Sequence, residues 1–165
     1  MLFRSAVPQS GTGITFPATQ SASSDANTLD DYEEGTFTPA IQFGGGSTGI
    51  TYAANGQVGS YVKIGKSIST TIWVQLTNKG SSTGTVTIAN LPFSSQTGSN
   101  AYAGAALSHW GSISTVTFAA VYMAPGSNSL YTSGGNPPAG TNSALTDANF
   151  QNGTYFIVSF AYIAA

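Results

Sequence analysis

From Ser67 to Thr77 the chain alternates with a strict period of two. Ile68, Thr70, Ile72, Val74 and Leu76 fall on one side of an extended backbone, and Ser67, Ser69, Thr71, Trp73, Gln75 and Thr77 on the other. Successive side chains point to opposite faces of a strand, so this run predicts a strand with one dry face and one hydroxyl-rich face. Trp73 is the exception on the polar side, and is expected to cover a neighbour or a subunit. Val86 and Ile88 alternate with Thr85 and Thr87 in the same way. So do Val116, Phe118, Ala120 and Tyr122 with Thr115, Thr117 and Ala119. β-Branched and aromatic residues dominate these runs, as pleated, half-buried surfaces favour.

Turn signals punctuate the alternation at short intervals: Gly44-Gly45-Gly46, Asn55-Gly56, Asn78-Lys79-Gly80, Gly98, Pro125-Gly126 and Asn152-Gly153. Asn-Gly supplies the positive φ that tight hairpins need. Strands are predicted near 36–43, 49–53, 57–65, 67–78, 83–89, 101–107, 114–123 and 154–163, with a weaker piece near 129–132. No segment carries a sustained helical stripe. The fold class is therefore all-β, an antiparallel β-sandwich of jelly-roll type. Residues 36–165 form the sandwich domain. Residues 1–35, which lack clear alternation and enough apolar content for a core, form an extended N-terminal arm. Asn128–Asn149, with Gly134-Gly135, Pro137-Pro138 and many small polar residues, reads as a long loop.

Charge is scarce. Only 6% of the 165 residues are charged, and the net charge is −2, so the folded surface must be neutral and rich in hydroxyls and amides. The four basic residues Arg4, Lys63, Lys66 and Lys79 are too few for a phosphate-neutralising face, which argues against nucleic acid as a partner. With no cysteine there is no disulfide framework, thiolate nucleophile or cysteine-based metal site. The opening MLFRSAVPQSG lacks the apolar centre of a signal peptide. The apolar run Tyr155–Ala165 spans eleven residues, against roughly 20 for a membrane helix.

That final run is apolar on both faces: Tyr155, Ile157, Ala161 and Ile163 on one, Phe156, Val158, Phe160 and Tyr162 on the other. A strand buried on both sides is unusual in a small antiparallel domain. The economical expectation is a subunit interface, to which Phe156, Val158, Phe160 and Tyr162 contribute together with Trp73.

Candidate chemistry is thin. His109 is the single histidine, and outside residues 1–35 the only carboxylate is Asp147. A catalytic triad therefore lacks parts, and no enzyme is expected. Five of the six acidic residues (Asp25, Asp30, Asp31, Glu33, Glu34) crowd into ten positions. They predict a solvated acidic turn, or one paired across subunits with Lys63, Lys66 or Arg4. Calcium ligation and a glycosidase-like carboxylate pair are weaker readings, because neither an EF-hand spacing nor a fixed separation is present. No cofactor or metal is assigned. Leu29 and Tyr32, inside the cluster, are expected to anchor the arm to the domain. Sugars dock on exposed aromatic rings while amides and hydroxyls bond their oxygens. Tyr102, His109, Trp110, Tyr131, Asn136 and Asn142, in or beside turn-rich segments, form a candidate glycan surface.

The segment from Gly13 to Thr38, GITFPATQSASSDANTLDDYEEGTFT, resembles a junction in bacteriophage tail-fibre, tail-spike and related virion proteins, where it precedes a small C-terminal β domain. GSYVKIGKSISTTIWVQLT (Gly59–Thr77), ANLPF (Ala89–Phe93) and the β-rich last strand extend the resemblance. It implies a homotrimeric virion structural protein assembled in the host cytoplasm, a fibre or spike tip that attaches the particle to host-surface polysaccharide. The N-terminal arm would engage other virion proteins. The alternative within the same resemblance is an assembly, trimerisation or head/collar decoration module that touches no receptor.

Overall fold

The computed structural model describes residues 8–9, 13–14, 16, 19, 23–25, 27–135 and 142–165. All regular structure among them is strand: β1 (Pro8–Gln9), β2 (Gly13–Ile14), β3 (Tyr32–Phe37), β4 (Ala40–Phe43), β5 (Ile50–Ile64), β6 (Ser67–Lys79), β7 (Val86–Ala89), β8 (Ala103–Ile113), β9 (Phe118–Met123), β10 (Leu130–Gly135), β11 (Ser143–Ala144) and β12 (Phe150–Ile163). Every pairing is antiparallel. β1 and β2 pair only with each other; the rest make two layers.

The first sheet runs β3-β5-β6-β12-β8 and the second β8-β9-β10-β7-β4, with β11 beside β10. β8 belongs to both. Its start, Ala103–Ala106, pairs with β9, and the remainder pairs with β12. The layers close on one core, to which β6 gives Ile68, Ile72, Val74 and Leu76, β9 gives Val121 and Met123, and β12 gives Phe150, Phe156 and Val158. Phe150 links the layers through edge-on contacts with Phe43 at 5.6 Å and Phe156 at 6.3 Å. The β-sandwich expected from the alternation is thus the fold.

Four expectations need correction. The two Asn-Gly pairs mark bulges inside continuous strands. Between the pairs Tyr52↔Leu76 and Gln57↔Val74, β5 spends four residues against one on β6. Asn55 there adopts a φ of 58°, and a Cβ on Gly56 would lie 2.9 Å from the Gln75 carbonyl oxygen. A local positive φ serves a bulge as well as a turn. Second, the expected long loop holds β10 and β11. Leu130 and Thr132 are buried there, and the Thr132 hydroxyl donates to the Val86 carbonyl at 3.1 Å. Third, the acidic stretch is partly strand, since Tyr32, Glu33 and Glu34 open β3. Fourth, β9 is turned over. Ala119, Val121 and Met123 point inward, while Phe118 and Tyr122 face out.

The last strand also differs from expectation. Phe156, Val158, Phe160 and Tyr162 are buried in the chain's own core, so they have no surface to offer a partner and cannot form the expected interface. Their opposite face is the open one. Burial lifts the Tyr162 phenol to about 12; its hydroxyl donates to the Phe93 carbonyl at 2.9 Å. The Tyr61 phenol also rises to about 12, chiefly because it donates to the Glu33 carboxylate. An unfolded tyrosine ionises near ~10. Between about pH 10 and 12 the unfolded chain therefore sheds protons that the folded chain keeps, and stability falls as pH rises. Urea midpoints should drop through that window, and tyrosinate absorbance should show two late-ionising phenols.

Candidate functional site

In-register pairing lines up residues in rungs across the outer face of the first sheet. Tyr32, Ile64, Ser67 and Ile163 form one rung, and Glu34, Val62, Ser69 and Ala161 the next. Thr36, Ser60, Thr71 and Ser159 follow, then Val58, Trp73, Ile157 and His109. Tyr32, Val58, Val62, Ile64 and Ile163 are between 37% and 51% exposed. The central rung is all hydroxyl, with Thr71 and Ser159 bonded at 3.1 Å. A shallow hollow of about 510 Å³ lies here, lined by Glu34, Thr36, Ser60, Val62, Ser69 and Thr71 among others. At one end Tyr155 lies between His109 (5.2 Å) and Trp73 (6.0 Å), its ring laid over Gly111, where a Cβ would come within 2.6 Å. Trp73 is half-buried on this face, as its place among polar neighbours suggested.

A second feature lies on the outer face of the other sheet. Tyr122 on β9 stands directly opposite Tyr131 on β10, the rings stacked at 5.4 Å and 24°. Tyr102, just before β8, approaches Tyr122 at 6.4 Å. The same rung continues to Thr87 on β7 and Gln42 on β4, and on the other side reaches Gly104 on β8. Beside Tyr102 a groove of about 260 Å³ is lined by Gln96, Asn100, Ser67 and Ile163 among others.

The six residues expected to form one glycan surface are therefore divided. Tyr102 and Tyr131 meet through Tyr122, which sequence reasoning placed on a buried face. His109 sits on the outer face of the first sheet, its ring tilted against Tyr155. Trp110 is half-buried against the core. Asn142 is exposed beside β11, and Asn136 lies outside the described residues.

The acidic stretch is spoken for locally. Asp31 is buried and forms an ion pair with buried Lys63 of β5, within the chain instead of across subunits. The Lys63 ammonium also lies 5.4 Å from the Phe93 ring centre. Glu33 accepts from Tyr61, and Glu34 from Tyr32 at 2.7 Å. Asp25 caps its own turn by accepting from the Asn27 N–H at 2.9 Å, and Asp30 accepts from the Ser23 N–H at 2.8 Å. Among the described residues no three metal-ligating side chains come together. Leu29 is 55% exposed; the Tyr32 and Phe16 ring centres lie 6.2 Å apart. Asp147 accepts from the Gly84 N–H at 2.8 Å and lies 3.8 Å from the Lys79 ammonium.

No protein-family profile and no curated protein match the chain. Among solved structures, the crystal structure of the Dettilon tailspike protein matches with a TM-score of 0.64 at 14% identity, over 81% of this chain and 24% of the tailspike. The likeness is one of fold, and this chain spans about a quarter of the tailspike's length.

Proposed function

We propose that this chain is a structural component of a bacteriophage tail, a virion-associated tailspike or tail-fibre part that trimerises and attaches the particle to host-surface glycan. The observation that carries the reading is the fold held in common with a region of a phage tailspike. The outer face of the first sheet supports the oligomer. Val58, Val62 and Ile64 project from β5 into solvent beside Trp73 and Ile157. Exposed apolar surface of this extent, with a hydroxyl rung across its middle, suits burial against like copies arranged about a rotation axis. The N-terminal arm would link the domain to other virion proteins.

The attachment is non-catalytic in this reading. In it Asp31, Glu33 and Glu34 serve structure: Asp31 pairs with Lys63, Glu33 accepts from Tyr61 and Glu34 from Tyr32. Light scattering of the whole chain is expected to give a mass of three copies. The double variant Val62→Asp/Ile64→Asp should keep the wild-type circular dichroism and run as a monomer, because apposed carboxylates on a desolvating face oppose association. A monomeric wild type would sink the oligomer, and failure of the trimer to adsorb to any host cell would sink the attachment.

A further inference from the structure

We propose that Tyr102, Tyr122 and Tyr131 form a platform for an uncharged oligosaccharide, gripped at its ends by Gln96 and Asn100 on one side and by Thr87 and Gln42 on the other. The proposal rests on the attachment reading above and gives it a place and a ligand class.

Exposed rings usually cover core, and these do not. Met123 and Leu130, their neighbours in sequence, already seal the interior from the opposite face of the same strands. Yet Tyr102 is 63% exposed, Tyr122 40% and Tyr131 37%. Tyr122 stacks on Tyr131 and Tyr102 tilts against Tyr122, so the three rings make one row from the turn before β8 to β10. Tyrosine offers a broad, stiff, amphipathic surface at low entropic cost, and pyranose C–H faces pack on such rings. An exposed row of rings would also receive any apolar surface, but what lies at its two ends selects among ligands.

Both ends are uncharged and carry amide or hydroxyl groups. The groove beside Tyr102 is lined by Ser67, Gln96, Asn100, Ala101, Ala103, Ala161, Tyr162 and Ile163, with no charged side chain among them. Amide groups both donate and accept, which matches the hydroxyl pairs of a sugar. At the other end the rung passes to the hydroxyl of Thr87 and the amide of Gln42. With no cation in the lining, an acidic sugar gains nothing to offset the loss of its hydration, so neutral glycans are preferred. Gly104, exposed and directly opposite Tyr122, leaves the flank of the platform open. A Cβ there would meet only the Val121 carbonyl oxygen at 3.8 Å, so the fold tolerates a side chain that the ligand does not.

The experiment is a glycan array of neutral hexose and hexosamine oligosaccharides with their sialylated and uronic counterparts, probed with the whole chain. Tyr122→Ala, Tyr131→Ala and Gly104→Val are compared with wild type, alongside adsorption to host cells. Wild type is expected to bind neutral members, and each variant to bind about tenfold more weakly with unchanged mass and circular dichroism. Neutral binding untouched by all three variants, or preference for acidic members, overturns the platform while leaving attachment standing. Variants that lower the mass instead of the binding make the row a contact between copies, which also overturns it. A wild type that binds neither array nor cells overturns both readings.

Discussion

Phe156→Asp is expected to yield no folded protein, whereas Ile157→Asp, one residue along, is expected to yield a folded one. Phe156 is 1% exposed and packs on Phe150, which packs in turn on Phe43 of the facing sheet. Removing such a ring costs about 3–5 kcal/mol, and burying an unpaired carboxyl group in its place, even neutralised by protonation, adds of order 2–7 kcal/mol. Domains of this size hold roughly 5–15 kcal/mol in total. Ile157 lies on the outer face beside Trp73 and His109, so its replacement spares the core and bears on association. Soluble yield and urea unfolding distinguish the two. A cooperative transition for Phe156→Asp with a wild-type midpoint would mean that the strand's faces are assigned the wrong way round.

The next largest effect is expected from the buried ion pair. Asp31→Ala leaves the Lys63 ammonium in a nearly dry site, and breaking a buried pair from one side costs about 3–5 kcal/mol. Lys63→Met should cost a similar amount, since it strands the Asp31 carboxylate. The double variant is expected to recover much of the loss, because an apolar pair in that volume removes both desolvation costs at once. Single-variant midpoints indistinguishable from wild type would show that water reaches the pair.

The alternation in β6 was readable because its two faces differ in chemistry as well as position. Ile68, Thr70, Ile72, Val74 and Leu76 are all buried, as the period requires. Where both faces are apolar, period alone does not say which is inside. In β9, Phe118 and Tyr122 are larger than Ala119, Val121 and Met123, and size favoured the wrong face. The tyrosine row was illegible for that reason, and because cross-strand register is a long-range property. Tyr122 meets Tyr131 only once β9 and β10 are known to pair. In β12 the same ambiguity invited burial on both sides. Thr132 hid β10, since a polar residue on a buried face breaks the pattern unless its bond to Val86 is known. The Asp31–Lys63 pair spans 32 positions, and no local rule selects Lys63 over Lys66.

β8 enters both layers, and this bears on how the domain carries load. Tension on the chain ahead of Asp31 runs lengthwise down β3. Its six pairings with β5 then share the load, with the Asp31–Lys63 ion pair at the head of the strand. From β5 the tension spreads through β6 and β12 into β8. There the two layers are tied by covalent backbone, so the sandwich cannot slide open along its core unless β8 is first torn from β9 or from β12.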